Sequence, residues 1–102
     1  MIEIRKTDKR HSGSQHFAYV LEIKTGLGEK FDRPQRHFDF NQVRDWAWQT
    51  YGTSCDREHW LTMNDDKRFS VNPHWCWHTE FNELKIYLAT EKEANWAKLK
   101  WN

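Results

Sequence analysis

The fold of this chain is decided by residues 74–101, HWCWHTEFNELKIYLATEKEANWAKLKW. In the first half of this stretch the large side chains fall at alternate positions, namely Trp75, Trp77, Thr79 and Phe81, then Leu84, Ile86 and Leu88. Because a strand places every second side chain on one face, the pattern predicts two strands. A loop at Asn82 and Glu83 would pair Phe81 with Leu84, Thr79 with Ile86 and Trp77 with Leu88. All large apolar groups then lie on one side, which we expect to be core.

A helix is predicted directly after this hairpin. Thr90 and Glu93 form the T-x-x-E pattern of a capping box, in which the hydroxyl and the carboxylate satisfy backbone amides reciprocally, so the helix should begin at Glu91. Its sheet-facing arc carries Ala94, Ala97 and Trp101, whereas Trp96 and Leu99 point to the other side. Either residues 25–38 or 53–73 fold over these two side chains, or they form a docking surface.

Composition predicts one aromatic-rich domain spanning residues 1–102. The chain has seven Trp, six Phe and three Tyr, and buried rings contribute much apolar area. Sixteen Lys and Arg against fifteen Asp and Glu give a formal charge of +1, which provides no global field for nucleic acid or membrane binding. Residues 1–10, MIEIRKTDKR, lack the apolar region of a signal peptide, and no apolar run approaches the roughly 20 residues that span a bilayer. We therefore expect a cytoplasmic protein without a membrane partner.

The rest of the chain predicts an α+β fold. Ile2 and Ile4 alternate with charged residues, as in a short edge strand, and residues 17–24, FAYVLEIK, have apolar groups on both faces, as in an interior strand. Residues 25–37 read as a long connection, and residues 59–63 and 68–71 as a small hairpin. The prediction is a mainly antiparallel sheet of about four strands with two helices on one face, plus this possible small hairpin.

The first helix is predicted over residues 40–51, with Asp39 as its N-cap and Gly52 as its stop. Its core-facing stripe is formed by Phe40, Val43, Trp46, Ala47, Thr50 and Tyr51. Trp48 falls outside this stripe beside Arg44, one turn earlier. The indole either packs under the guanidinium or belongs to a binding surface.

A row of metal-binding residue types lies on the reverse face of the predicted hairpin. His74, Cys76 and His78 alternate with the core Trp residues and should point the same way; together with Cys55 and His59 they offer nitrogen and sulfur ligands for zinc. Successive side chains on one strand face are about 6.6 Å apart, however, too far to share one ion without a bulge. The alternative is a half-buried sheet face on which Cys76 behaves as a small apolar residue.

Enzymatic chemistry finds little support. The sequence contains no G-x-S-x-G, H-E-x-x-H or Walker pattern, and the histidines next to Cys76 lie on its own strand instead of across a cleft. We therefore expect a non-enzymatic protein without a cofactor. Nucleic-acid binding is the alternative, because Lys30, Arg33 and Arg36 form the most basic segment, with Trp48 or Tyr87 as a stacking ring.

Residues 86–101, IYLATEKEANWAKLKW, resemble the C-terminal ends of small uncharacterised bacteriophage proteins. The shared features are an apolar strand, an acidic helix start and an aromatic-x-L-basic-Trp ending. The resemblance implies a phage accessory protein made in the host cytoplasm, and it implies no catalytic residue. The leading hypothesis is thus a binding module that docks on a host or viral protein, or on a second copy of itself, through Trp96, Leu99 and nearby aromatics such as Trp48.

Overall fold

The computed structural model describes residues 2–7, 16–23, 33–66, 71–80 and 83–101, with the backbone alone for residues 33–37 and 80. The elements in this part of the chain are β1 (Ile2–Lys6), β2 (Tyr19–Ile23), α1 (Arg33–Tyr51), α2 (Arg57–Asp65), β3 (Trp75–Glu80), β4 (Glu83–Leu88) and α3 (Glu91–Trp101). The predicted α+β class is confirmed. No helix in the described ranges is long and apolar enough to cross a membrane.

The four strands form one antiparallel sheet in the order β1-β2-β4-β3. The edge position predicted for the first strand and the interior position predicted for the second are both confirmed. Residues 20–23 of β2 are all buried, which fits a strand with a neighbour on each side and a covered layer on each face. The sheet therefore divides the interior into two cores.

The hairpin of β3 and β4 has a different register from the predicted one. Trp75 pairs with Leu88, Trp77 with Ile86 and Thr79 with Leu84, a shift of two residues along β3. Because strand side chains alternate with a period of two, this shift leaves each side chain on its predicted face. The observed register places the fully buried Trp75 opposite Leu88, whereas the predicted one gave Trp75 no partner among residues 84–88. Phe81 and Asn82 lie outside the described residues.

The first core lies between the sheet and helices α1 and α3. Its fully buried members are Leu21, Ile23, Phe40, Val43, Ala47, Trp75, Leu84, Ile86, Leu88, Ala94 and Ala97. Three of the six residues predicted for the stripe of the first helix are in this group, Trp46 and Tyr51 are half-buried, and Thr50 is exposed. Packing of two helices on one face is thus confirmed.

The second core lies on the other face, under helix α2. Trp60 packs there with Phe17, Val20, Cys76 and Tyr87. The small hairpin predicted for residues 59–71 is therefore wrong over its first half, and residues 67–70 lie outside the described part of the chain. Asp56 starts the helix, since its side chain accepts a hydrogen bond from the Glu58 amide at 2.9 Å.

Helix α1 ends where predicted but begins earlier. Gly52, at φ +97°, follows the last helical residue, as expected of a left-handed C-terminal stop. The first helical residue is Arg33, so the predicted N-cap, Asp39, lies inside the helix, and part of the predicted connection is helical. Pro34 is compatible with this start, because amides of the first turn have no partner within the helix.

Candidate functional site

A groove lies between side chains of α1 and α3. It consists of two hollows that share the Trp96 side chain. The first, of about 350 Å³, is lined by Tyr51, His74, Lys92, Glu93 and Trp96. The second, of about 200 Å³, is lined by Trp46, Trp96, Leu99 and Lys100. We call this feature the α1–α3 groove.

Helical spacing explains how α3 contributes to the groove. Lys92, Trp96 and Lys100 are four residues apart and so lie on one face of the helix. Ala94 and Ala97 lie on the opposite face, buried against the sheet. Trp96 and Leu99 were predicted to point away from the sheet-facing arc of α3. In the structure, 55% of Trp96 and 76% of Leu99 are exposed.

Helix α1 contributes a wall of interlocked rings. The Trp46 ring meets the Tyr51 ring edge-on, with centroids 5.8 Å apart, and meets the Trp101 ring in the same manner at 6.1 Å. Edge-to-face pairs of this kind add stability beyond their buried area. This side of the groove is therefore aromatic and held in place by ring contacts.

Glu93 ties the end of the groove to the sheet. Its Oε2 accepts a hydrogen bond of 3.0 Å from the Thr90 amide, which is the carboxylate half of the predicted capping box. The other half differs, because the Thr90 hydroxyl donates to the same carboxylate. Its Oε1 lies 3.0 Å from His74 Nδ1, and the His74 ring stacks on Tyr51. Burial alone would raise the pKa of Glu93, but hydrogen bonds from Thr90, His74 and the backbone outweigh burial and lower it.

Tyr51 places a polar atom at the base of the groove. Its buried hydroxyl has no hydrogen-bond partner among the described residues. Burial and the nearby negative charge of Glu93 raise the pKa of Tyr51 to about 12, so the phenol is neutral at pH 7. A buried hydroxyl without a partner costs free energy.

The charges at the rim of the groove are positive. Lys92 and Lys100 stand at the two ends, and Lys100 Nζ lies 5.6 Å from the centroid of the Trp101 ring. The carboxylate of Glu93 is 6% exposed and is engaged by Thr90 and His74. An incoming group thus meets exposed apolar side chains between two ammonium groups.

Trp48, the third residue predicted for the interface, lies apart from the groove. Two positions separate it from Trp46, about 200° around the helix axis. Its ring stacks on Trp77 of β3, with centroids 6.1 Å apart, and 42% of the residue is exposed. The Arg44 guanidinium lies 5.7 Å from the centroids of both the Phe40 and Trp77 rings. The structure therefore brings Trp96 and Leu99 together and leaves Trp48 on the opposite flank of α1.

The five residues predicted as metal ligands do not come together at one point. His74 precedes the first residue of β3, where strand alternation does not yet apply, so the prediction that it shares a face with Cys76 and His78 is wrong. Cys76 and His78 are buried because α2 covers their face, which is more enclosed than the half-buried surface predicted. His59 is exposed on α2. Throughout the described ranges, no three His, Cys, Asp or Glu side chains are placed to hold a metal ion.

The residues predicted for nucleic-acid binding lie in different parts of the structure. Tyr87 is only 1% exposed and accepts a hydrogen bond of 2.7 Å from Arg57 Nη1, so its proposed role as a stacking ring is wrong. Arg33 and Arg36 lie in the first turn of α1, where only the backbone is described. Lys30 lies outside the described residues.

A row of ionisable side chains crosses the second face of the sheet and was not predicted from the sequence. Backbone pairing aligns Glu3, Glu22, Lys85 and His78 on four neighbouring strands, and the last three are buried. Glu22 pairs with Arg5 at 2.9 Å, and Lys85 pairs with Glu83 at 3.3 Å. The sequence did contain a signal for this row, because each predicted central strand has a charged residue at an interior position.

The α1–α3 groove is apolar along its length and basic at its two ends. It offers aromatic area, an exposed leucine and two ammonium groups. Cys76, the one thiol considered as a nucleophile, is fully buried in the other core, and burial raises its pKa well above the ordinary range. Comparison of the chain with models of protein families, with curated proteins and with solved structures finds no match.

Proposed function

We propose that this protein is a non-enzymatic binding module that holds an apolar segment of another protein in the α1–α3 groove. The observation that carries the proposal is the exposure of Trp96 and Leu99 beside two hollows with an aromatic wall. Exposed apolar patches rimmed by charge mark protein interfaces, and tryptophan is a preferred anchor in them. The resemblance of residues 86–101 to phage proteins supports a phage accessory role, with a host or viral protein as the partner.

The charges at the rim favour a partner segment that is acidic on both sides of its apolar anchor. Lys92 and Lys100 are eight residues apart on α3, which corresponds to about 12 Å along the helix axis. Two carboxylates at this spacing would meet both ammonium groups while the apolar side chain between them contacts Trp96. An amphipathic helix with acidic residues seven or eight positions apart has this geometry.

Removing the anchors tests the proposal. The double variant Trp96→Ala with Leu99→Ala should bind its partner at least about 30-fold more weakly, because interface tryptophans commonly contribute 2 kcal/mol or more. Its melting curve should stay close to that of the unchanged protein, since both side chains are exposed. The measurement is capture of partners from a bacterial lysate, with and without nuclease, followed by titration of the captured protein.

Trp48→Ala is the matched control, because it removes an exposed aromatic residue that lies outside the groove. It should leave capture intact. Retention of the same partner by the groove double variant would contradict the proposal. Capture that disappears after nuclease treatment, or with Arg33→Ala and Arg36→Ala, would favour nucleic-acid binding. Self-association abolished by the double variant would identify the partner as a second copy.

Reversing the charges at the rim tests the acidic nature of the partner. Lys92→Glu with Lys100→Glu should weaken binding about 10-fold, with a smaller difference at high salt, because the rim charges are solvent-exposed. Lys98→Glu is the control, since Lys98 is equally basic and exposed but does not line the groove. Lys98→Glu changes the net charge by the same amount as Lys92→Glu or Lys100→Glu alone, so equal losses from these three single variants would show that net charge, and not position, governs the interaction.

A further inference from the structure

The two cysteines of the chain lie side by side where the segment after α1 runs along β3. Ser54 Oγ donates a hydrogen bond of 2.6 Å to the Trp75 carbonyl, and the Trp77 amide donates one of 3.3 Å to the Cys55 carbonyl. Asp56 and Trp77 form a parallel bridge. Residues 54–56 therefore run parallel to residues 75–77, with Cys55 next to Cys76.

This placement suits a disulfide. Paired residues of parallel strands point their side chains the same way, and adjacent strands are about 5 Å apart. A disulfide requires a Cα separation of about 4.4–6.8 Å. Both side chains belong to the core under α2, where Cys55 packs against the group that contains Cys76, and both thiols are free.

The two thiols differ in their access to solvent. Cys55 is half-buried and lines a hollow of about 220 Å³ together with Ser54, Trp60, Met63 and other residues of the 53–72 region. Cys76 is fully buried behind it. A small reagent that enters the hollow can thus reach Cys55 but not Cys76.

We propose that Cys55 and Cys76 form a redox site that reacts with small-molecule disulfides such as oxidised glutathione. The Cys55 sulfur, after losing its proton, attacks one glutathione sulfur; the glutathione S–S bond breaks, and a Cys55–glutathione disulfide forms as the first glutathione leaves. The Cys76 sulfur then loses its proton and attacks Cys55, which releases the second glutathione. The two protein thiols are oxidised to one disulfide, their protons pass to the departing thiolates, and glutathione disulfide is reduced to two thiols.

The environment of the pair makes this reaction slow. Burial raises the pKa of Cys55, with a further contribution from the neighbouring Asp56 carboxylate, and thiol–disulfide exchange proceeds through the thiolate. The bond, once formed, joins the end of α1 to β3 and encloses α2 in a loop. Cross-links of loops this long restrict the unfolded chain, so the melting temperature should rise by about 10 °C.

Intact-mass spectrometry of the folded protein with excess oxidised glutathione tests the proposal. The expected product has lost two hydrogens, carries no glutathione and yields a peptide in which Cys55 is linked to Cys76. Cys76→Ala should stop at the glutathione adduct on Cys55, and Cys55→Ala should remain unmodified, because Cys76 is inaccessible. The melting temperature of the oxidised protein should return to its original value after reduction.

Three results would overturn the inference. One is a glutathione adduct on Cys55 that persists in the unsubstituted protein, and another is the absence of any reaction while the protein is folded. The third is modification of Cys76 in Cys55→Ala without unfolding. The unsubstituted protein and Cys55→Ala decide the matter even where Cys76→Ala fails to fold. All of these outcomes are independent of partner binding in the α1–α3 groove.

Discussion

Replacing Trp75 with alanine is expected to lower the free energy of unfolding by about 4 kcal/mol, as large-to-small changes at fully buried aromatic positions do. Trp75 has no exposed surface and lies in the core between the sheet and α1. Its indole Nε1 also donates a hydrogen bond of 2.9 Å to the Gly52 carbonyl, directly after the end of α1. The substitution therefore removes both packing and the tie between the helix end and β3.

Urea denaturation of the two proteins measures this loss. Trp96→Ala makes the same chemical change at a residue that is mostly exposed, so its effect on stability should stay within about 0.5 kcal/mol. The contrast between the two variants tests the orientation of the β3 hairpin. If Trp96→Ala costs as much as Trp75→Ala, the assignment of Trp75 to the core and Trp96 to the groove is wrong.

Glu93→Ala should lower the free energy of unfolding by about 3 kcal/mol at pH 7, about 1 from the lost helix cap and about 2 from the hydrogen bonds to a charged acceptor. The carboxylate is bonded to Thr90 and His74 and is almost completely buried. Glu91→Ala removes an exposed carboxylate from the same first turn and should cost less than about 0.5 kcal/mol. Denaturation curves of both variants measure the difference.

The contribution of Glu93 should also depend on pH. The pKa of Glu93 in the folded protein is lowered from 4.5. A carboxyl group with a lowered pKa stabilises the folded state fully above its unfolded pKa, and this stabilisation is lost as pH falls through the folded value. The difference between Glu93→Ala and the unchanged protein should therefore be constant at neutral pH and shrink below about pH 4.5. A difference that stays constant down to pH 3 would contradict the role assigned to the charge.

The elements predicted correctly are those whose residues determine their own structure. The alternation of Trp75, Trp77 and Thr79 defines a strand and its faces, and the Thr90 and Glu93 side chains cap α3 without help from distant residues. The pairing register depends on where the turn lies, and the sequence alone favoured a turn one residue too late, which shifts the pairing by two residues. Because the pairing register was wrong by an even number of residues, each side chain was still predicted on the correct face of the sheet.

The elements predicted wrongly depend on contacts that the sequence does not display. Helix α2 contains few apolar residues, and Trp60 alone is buried, so its periodicity resembles that of a strand as much as that of a helix. Its position is set by the second core, where Trp60 meets Phe17 with ring centroids 4.6 Å apart. The early start of α1 was missed for another reason: Gly26, Gly28 and Pro34 are typical of loops, so residues 25–37 were predicted as one connection.

The groove was predictable in part. Helical spacing alone showed that Trp96 and Leu99 point away from the face that packs on the sheet. The α1 wall of the groove could not be predicted from the sequence, because Trp46 and Tyr51 belong to a helix forty to fifty residues earlier in the chain. The same limit applies to Cys55 and Cys76, whose proximity arises from the parallel pairing of residues 54–56 with β3.

That short parallel segment also bears on how copies of this protein behave at high concentration. A sheet whose outermost strand offers free amides and carbonyls invites strands from other molecules, which leads to aggregation. On the β3 side, the Trp77 amide already donates to the Cys55 carbonyl, and the Trp75 carbonyl already accepts from the Ser54 hydroxyl. On the opposite side, β1 carries Glu3, Arg5 and Lys6 within five residues, and charged side chains on an outer strand discourage stacking of copies. In the described sheet, residues 54–56 thus occupy the start of the β3 edge, and charge on β1 disfavours pairing at the other edge.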